Sequence, residues 1–360
     1  MNMLHNKKII FILVLPVRRG KRSGMKKVIA VLLSAFSFLI TFGQQKPQYT
    51  QYVLNGFLLN PALAGIENYT DLKIGYRNQW QGIEGAPVTS FASVNTPLGN
   101  KFLYGSATAF GGQEDNPMNR SYKQNYMAAE PHHGIGLQLA NDKTGPFSRT
   151  DMSLSYAYHL GLTEKLNVSL GISAGLSQIR IDGTKLNAEN PADASLPYNS
   201  RSQVSPDAGA GLWLYGPSFF AGVSAQQLLP QKLSFARNAS AESGKLEPHF
   251  FVTGGYKFFL GEEIALMPSV MAKYVRPVPL SVDLNCKLAF TEKFWVGGSY
   301  RKGDSYSAMT GFNIGHLVNV SYSYDFTSSE LNTITNGTHE IVLGLLLNNR
   351  YRLNCARRHF

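Results

Sequence analysis

The stretch HLVNVSYSYDF, His316 to Phe326, alternates between apolar and polar side chains with a period of two. Its apolar positions are Val318, Val320, Tyr322, Tyr324 and Phe326, and its polar positions are Asn319, Ser321, Ser323 and Asp325. Successive side chains of a β-strand point to opposite faces, so the alternation predicts a strand of about ten residues with one apolar face. The fold must therefore offer an apolar environment to one side of this strand and a polar environment to the other.

Segments of similar length and alternation recur from residue 69 to residue 349, separated by glycine-containing turns. In chain order they are Tyr69–Trp80, Pro87–Leu98, His133–Asn141, Met152–Leu160, Leu166–Ser177, Pro206–Tyr215, Ser218–Leu228, Pro248–Leu260, Ile264–Val275, Leu280–Phe290, Lys293–Lys302, Ser305–Ile314, His316–Phe326 and Thr338–Asn349. A fifteenth candidate, Lys101–Phe110, begins a polar stretch without alternation. We interpret 101–132 as one long insertion, which leaves an even count of fourteen strands.

Two architectures contain strands with one apolar face: a soluble sandwich or barrel with that face inward, and an outer-membrane barrel with it outward. Strands of soluble proteins average about five or six residues, whereas membrane-spanning strands need about nine to eleven. Most of the segments have ten to thirteen residues. Aromatic residues also cluster at the segment ends, as in interfacial girdles. The sequence therefore predicts an all-β fold, an antiparallel outer-membrane β-barrel of 14 strands, and a soluble β-sandwich is the alternative.

The non-apolar face of the predicted strands is rich in Gly and Ser and carries scattered charges. Such a face suits the lumen of a barrel rather than its lipid-facing surface. The candidate lumen charges are Lys73, Arg77, Asp283, Lys287, Arg301 and Asp325.

The first 43 residues have the features of a targeting sequence rather than of a folded domain. Met25-Lys26-Lys27 and the apolar run 28–42 form a secretory signal peptide, 25–43, with cleavage expected after Gly43. Residues 1–24 are interpreted as an upstream extension from an early start codon. Those 43 residues hold eight of the 34 basic residues and none of the 23 acidic ones, so the remaining chain carries a net charge of +3. The basic isoelectric point is therefore no evidence for nucleic-acid binding.

Residues 44–68 are predicted to form an N-terminal segment of turns that plugs or lines one mouth of the barrel, on the periplasmic side. Asn60-Pro61 favours an extended or turn conformation and Asn55-Gly56 favours a tight turn. Phe57, Leu58, Asn60 and Pro61 are the candidate residues for docking a partner or for plugging the barrel. A hydrophobic clasp without any partner is the alternative.

With these features in place, seven local phrases resemble the PorP/SprF family of type IX secretion system membrane proteins of the Bacteroidetes. They are QYVLNGFLLNPALAG (Gln51–Gly65), GYRNQW (Gly75–Trp80), GIGLQLANDKTGPFSRT (Gly134–Thr150), PDAGAGLWLY (Pro206–Tyr215), KFWVGGSYRKGD (Lys293–Asp304), SYSYDFT (Ser321–Thr327) and GTHEI (Gly337–Ile341). The resemblance implies an outer-membrane barrel that works with the secretion or gliding apparatus, for export or surface attachment of a secreted partner protein. The insertion 101–132 and the basic tail 350–360 depart from the family pattern.

No constellation in the sequence supports an enzyme, a metal site or a cofactor. His339-Glu340 lacks a second His four residues later, and His132-His133 is interpreted as a solvated pair in a loop. The predicted partners are outer-membrane lipid, type IX secretion components and a secreted surface protein, with no nucleic acid. A passive, porin-like diffusion channel is the alternative function, since a barrel of fourteen strands is wide enough for a narrow pore unless it is filled.

The sequence also supports two expectations about exposure. Short turns are expected on the periplasmic side, and three long loops, 101–132, 181–204 and 231–247, are expected to be extracellular because the strand count places them after strands two, six and eight. Cys286 shares the apolar face of its strand and is expected to be a free thiol that faces lipid, unpaired with Cys355 in the tail.

Overall fold

The computed structural model describes residues 49–99, 126–186, 200–233, 244–261, 263–291 and 293–349. Within them fourteen strands of eight or more residues and a two-residue strand, Phe258–Phe259, form one sheet, and Gln231–Leu233 and Gly244–Leu246 pair as a separate short hairpin. The fourteen longer strands are β1 (Thr70–Asn78), β2 (Val88–Leu98), β3 (His132–Thr144), β4 (Phe147–Thr163), β5 (Leu166–Ile181), β6 (Arg201–Tyr215), β7 (Phe219–Gln226), β8 (His249–Tyr256), β9 (Ile264–Val275), β10 (Val278–Phe290), β11 (Phe294–Arg301), β12 (Ser305–Ile314), β13 (Val318–Thr327) and β14 (Thr338–Leu347). The predicted signal peptide, its upstream extension, the candidate strand 101–110 and the tail 350–360 lie outside the described residues.

The sheet closes into a barrel because the last strand pairs with the first. β14 runs antiparallel to β1, with Leu347 opposite Thr70 and His339 opposite Asn78. Each of the other strands pairs antiparallel with its neighbours in sequence, including β8 with β9. Each of the fourteen segments predicted from the alternation overlaps one of these strands, although several strands, such as β4 and β6, are longer than predicted. The prediction of a 14-stranded antiparallel barrel is confirmed.

The barrel places apolar side chains on its outside. In β13, Tyr322 and Phe326 are 41% and 55% exposed, whereas Ser323 and Asp325 are buried. A soluble protein would bury the apolar face, so this arrangement fits strands that are surrounded by lipid. Cys286 is a free thiol on the exposed face of β10, and Cys355 is outside the described residues. None of the helices in the described residues has the length and hydropathy of a membrane-spanning helix.

The strand directions define two ends of the barrel. We call the end at which β1 begins the proximal end and the end at which β1 finishes the distal end. Because all pairings are antiparallel, odd-numbered strands run from proximal to distal and even-numbered strands run back. Connections that follow an odd strand therefore lie at the distal end, and those that follow an even strand lie at the proximal end.

This rule contradicts the expectation that the three long connections share one end. The connection 99–131 joins the proximal ends of β2 and β3. The connections 182–200 and 227–248 follow β5 and β7, not strands six and eight, and join distal strand ends. Residues 100–125, 187–199 and 234–243 of these connections lie outside the described residues. The expectation was wrong because it misnumbered two strands, and in an antiparallel barrel an error of one strand moves a loop to the opposite end.

Candidate functional site

The N-terminal segment lies inside the barrel. We call residues 49–69 the plug. It folds as three short 3-10 turns, Gln51–Val53, Gly56–Leu58 and Pro61–Leu63, as the Asn-Gly and Asn-Pro pairs predicted. Phe57, Leu63 and Ile66 are each 1% exposed and form a buried cluster with inward side chains of the barrel wall.

The plug runs along the lumen from its distal part to its proximal end. At its start, Thr50 contacts Arg77, which is next to the last residue of β1. At its finish, Gly65 packs against Thr96 and Pro97, near the proximal end of β2. The expectation of a plug confined to one barrel mouth therefore underestimated its depth. Many inward wall positions carry glycine or serine, which leave space in the lumen. The apolar side chains of the plug can therefore be buried along the whole lumen.

An ion-pair network joins the plug to the seam where the first and last strands meet. The guanidinium of Arg77 on β1 contacts Glu340 on β14 at 2.6 Å and Asp325 on β13 at 2.8 Å. It also donates to the hydroxyl of Thr50 at 2.7 Å, and that hydroxyl donates to Asp325 at 2.7 Å. Charge-assisted hydrogen bonds are stronger than neutral ones. The plug is thereby fastened to three consecutive strands at the point of closure.

Backbone groups of the plug complete the coordination of Glu340. The amides of Thr50 and Gln51 donate to the two oxygens of the Glu340 carboxylate at 2.9 and 3.3 Å. The side chain of Gln51 donates to the carbonyl of Glu340 at 2.9 Å and accepts from the hydroxyl of Ser321. Two carboxylates face one guanidinium here, and these amide donors offset the excess negative charge.

In the middle of the plug, Asn60-Pro61 attaches the plug to the barrel wall. The Asn60 side chain caps the third turn by accepting from the amide of Ala62 at 2.9 Å, with Pro61 at the first position of the turn. Its amide group donates to the carbonyls of Leu212 and Val223, on β6 and β7, at 3.1 and 3.3 Å. One side chain thus both shapes the plug and binds it to two strands.

Wall side chains satisfy the carbonyl groups that the plug's short turns leave unpaired. Gln226 donates to the carbonyls of Leu58 and Leu59 at 3.0 and 2.9 Å. Gln138 donates to Phe57, and Ser224 to Leu59 at 2.7 Å. A buried carbonyl without a partner would be costly. The inward polar residues therefore fit this particular path of the plug.

Inward glycines give the plug its space. A β-carbon added at Gly171 would lie 2.3 Å from the backbone nitrogen of Ala62, and one at Gly134 would lie 1.9 Å from the carbonyl oxygen of Ala64. A β-carbon at Gly211 would lie 1.9 Å from the Asn60 side-chain oxygen. Contacts this short do not occur, so a side chain at these positions would displace the plug.

At the proximal end, two stacked histidines hold the plug where it leaves the lumen. The rings of His132 and His159 are parallel, with centroids 4.5 Å apart. Their Nε2 atoms contact the carbonyls of Gly65 and Ala64, at 3.2 and 2.8 Å. The interpretation of His132 as a solvated loop residue was wrong: His132 is the first residue of β3 and is buried opposite His159.

The structure places all six candidate lumen charges on the inward face, and each is buried. It brings Arg77 and Asp325 into one network and pairs Arg301 with Asp283 at 2.9 Å in a separate one. The Nζ atom of Lys287 lies 5.4 Å from the ring centroid of Trp295.

Lys73 contacts Asp71, a carboxylate that is not among the predicted lumen charges. Glu340 was also missed, although it is at an inward position of the alternating segment Thr338–Asn349. Listing every charge of each segment's inward face would have found both residues.

Two cavities beside the plug are small. One cavity of about 60 Å³ is lined by Tyr49, Leu58, Asp151 and Asp207, and another of about 30 Å³ is lined by Leu63 and wall residues. These volumes hold a few water molecules. Burial raises the pKa of Tyr49 and of Tyr52 well above that of an ordinary phenol, so both plug hydroxyls stay neutral.

Six of the seven phrases noted in the sequence contribute to this site. The first phrase is the plug itself. The others supply Arg77, Gly134, Gly211, Asp325 and Glu340, which contact the plug from five different strands. Among the described residues, no group of three or more His, Cys, Asp or Glu is placed to hold a metal ion.

Solved structures that resemble this chain are outer-membrane barrels of low sequence identity. The toluene transporter TbuX of Ralstonia pickettii is 10% identical, with 81% of this chain and 92% of that chain covered and a TM-score of 0.47. Omp33 of Acinetobacter baumannii is 12% identical, with 79% and 100% covered and a TM-score of 0.43. A FadL homologue of Pseudomonas aeruginosa is 9% identical, with 83% and 94% covered and a TM-score of 0.43.

No curated protein matches the chain. The family described as "Type IX secretion system membrane protein PorP/SprF" matches it over residues 41–345, which is most of its length and includes the plug and the fourteen strands up to the last two residues of β14. The chain therefore belongs to the PorP/SprF family of type IX secretion system membrane proteins.

Proposed function

We propose that this protein is a plugged, non-enzymatic outer-membrane barrel that assists export or surface attachment of one secreted partner protein. The observation that supports this proposal is the filled lumen. The plug is hydrogen-bonded to the wall at its distal start, at Asn60 and at its proximal finish. A passive channel would need this segment to leave the lumen, so the family's role in type IX secretion is favoured over diffusion.

The orientation that we propose places the distal end outside the cell. Membrane barrels have short turns on the periplasmic side and longer loops outside. Four of the six proximal connections, 164–165, 216–218, 291–293 and 315–317, have two or three residues, whereas four of the seven distal connections have nine or more. The connection 99–131 is then a long periplasmic insertion. In this proposal a cleaved signal peptide, 25–43, brings the chain to the periplasm.

The distal loops 79–87 and 328–337 are joined by hydrogen bonds, and we call them the platform, a surface that suits a partner. The amide of Gln81 donates to the carbonyl of Gly337 at 2.8 Å, and the amide of Asn336 donates back to the carbonyl of Gln81 at 2.7 Å. Ile334 is 61% exposed on this platform. Phe57 and Leu58 are buried, so a partner cannot touch them while the plug is seated. We therefore assign Phe57, Leu58, Asn60 and Pro61 to the plug and place the partner contact on the platform.

Two measurements on the wild-type protein test the function. Purified barrels in planar bilayers are expected to show no steady open-pore current, because the lumen is filled. Affinity purification from the native envelope is expected to recover one exported protein in near-equal amount. Steady current combined with the absence of any such partner would replace the proposal with the diffusion channel.

The orientation is tested by protease sites inserted singly into the connections 99–131, 182–200 and 227–248. Protease added to intact cells is expected to cut the second and third, because both are distal. The site in 99–131 is expected to be cut only after the outer membrane is permeabilised. Cleavage of 99–131 in intact cells, with the other two protected, would reverse the orientation.

A further inference from the structure

Charge on the outward face of β3 to β6 is confined to one row near the distal end. The outward residues are the odd-numbered ones of β3 and the even-numbered ones of β4, β5 and β6. Over these four strands, Lys143 and Arg180 are the only Lys, Arg, Asp or Glu at outward positions. They flank Ser148 in the same row, since Ser148 is opposite Lys143 on one side and opposite Arg180 on the other. Two strand spacings put their Cα atoms about 10 Å apart.

Neither cation is neutralised by the described part of the chain. Both are exposed, and among the described residues neither side chain has a hydrogen-bond or ion-pair partner. The nearest acids in sequence are Asp142, on the inward face of β3 where the hydroxyl of Thr89 donates to it at 2.5 Å, and Asp182, which receives hydrogen bonds from the hydroxyls of Thr184 at 2.7 Å and Ser200 at 3.2 Å. Lys185 adds a further exposed positive charge at this corner. The corner therefore carries an excess of positive charge.

Below the charged row comes a polar row, Asn141, Thr150 and Gln178, and beyond it the outer surface becomes apolar. Leu139, Met152 and Leu176 form one row across β3, β4 and β5, and they are 46%, 51% and 55% exposed. They lie four residues along the strands from the charged row, which is about 10 Å along the membrane normal for strands tilted by roughly 40°. Acyl chains against the apolar row would place their headgroup phosphates within reach of the long Lys and Arg side chains.

We propose that Lys143 and Arg180 bind the phosphate of an anionic glycolipid in the outer leaflet, with its acyl chains along Leu139, Met152 and Leu176. A guanidinium can hold a phosphate through two parallel hydrogen bonds, and a nearby ammonium adds a second positive charge. This site rests on the proposed orientation but not on the proposed partner role. It would be lost if the protease sites reversed the two ends, and it would survive if no secreted partner were found.

Native mass spectrometry of the purified barrel tests the site with defined lipids. The probes are phosphorylated lipid A, the same lipid without its phosphates, phosphatidylglycerol and inorganic phosphate. We expect retention of phosphorylated lipid A by the wild type, and at least a tenfold loss of retention in the double variant Lys143→Ala/Arg180→Ala. The control Arg276→Ala/Lys302→Ala removes two cations from distal turns on the other side of the barrel and is expected to retain the lipid as the wild type does.

Three results would overturn the proposal. The first is equal retention of phosphorylated lipid A by the wild type and by the Lys143/Arg180 double variant. The second is equal retention of the dephosphorylated lipid or of phosphatidylglycerol by the wild type. The third is complete displacement of lipid A by millimolar inorganic phosphate, which would identify a site for a free anion. Each variant is first checked for wild-type migration of the folded barrel on unheated gels.

Discussion

Replacing Arg77 with Met is expected to destabilise the folded barrel by about 3 to 5 kcal/mol. Arg77 is 2% exposed and is the cation between Asp325 and Glu340. Its removal leaves two buried carboxylates, on the adjacent strands β13 and β14, without their shared cation from β1, and it also removes the donor to Thr50 that holds the plug. We expect the folded species to convert to the unfolded one at a lower temperature on semi-native gels.

Further substitutions show whether the stability is lost because the charges are unbalanced or because packing is lost. Adding Glu340→Gln to Arg77→Met removes one unbalanced carboxylate, so the double variant is expected to recover part of the lost stability. Arg77→Lys is expected to be intermediate, because an ammonium cannot reproduce the fork that reaches two carboxylates. Lys302→Met, at an exposed turn position, is expected to change stability by less than about 0.5 kcal/mol. An Arg77→Met barrel as stable as Lys302→Met would show that the seam network does not hold the barrel.

The strand content of this barrel could be predicted from the sequence because lipid and lumen impose opposite polarities on alternate residues. The stretch 316–326 illustrates this, since its serines and Asp325 are buried and its tyrosines are exposed. The same parity is sufficient to assign Arg77 and Asp325 to the inward face. Alternation fixes which face a residue occupies, and this inference holds without knowledge of the neighbouring strands.

The contacts within the lumen could not be predicted in the same way. Arg77 and Glu340 are 263 residues apart and meet because β1 pairs with β14. The path of the plug depends on where wall glycines such as Gly171 leave space, which is a property of the closed barrel. The ordered segments already put the second and third long loops after the fifth and seventh strands, so assigning them to the wrong end was a counting error and not a limit of the alternation. The boundary residue His132 was misassigned because segment ends carry little periodic signal.

Replacing both Phe57 and Leu58 with Ser is expected to have the largest effect on the barrel of any change in the plug. The two side chains are 1% and 7% exposed, and removing a large apolar side chain from a buried site costs roughly 2 to 5 kcal/mol. If the plug only stabilises the barrel, heat-modifiable migration should show that the variant barrel is less stable. Planar bilayers should then also show open-pore current, because the plug leaves the lumen. If it docked a partner instead, the barrel would remain folded and surface display of the partner would fall.

Two further variants distinguish these outcomes from nonspecific damage. Gly171→Val leaves the plug sequence intact but places a side chain where Ala62 lies, so it is expected to raise conductance, whereas Gly298→Val, at an outward position where a β-carbon makes only ordinary contacts, is not. Ile334→Ser, on the distal platform, is expected to reduce partner display without altering the barrel, because the replaced side chain is exposed. If the plug serves only the barrel, the plug variants must change barrel stability or conductance, and the platform variant must change the surface display of the partner. Normal migration, conductance and display for Phe57→Ser/Leu58→Ser would show that the plug has neither role.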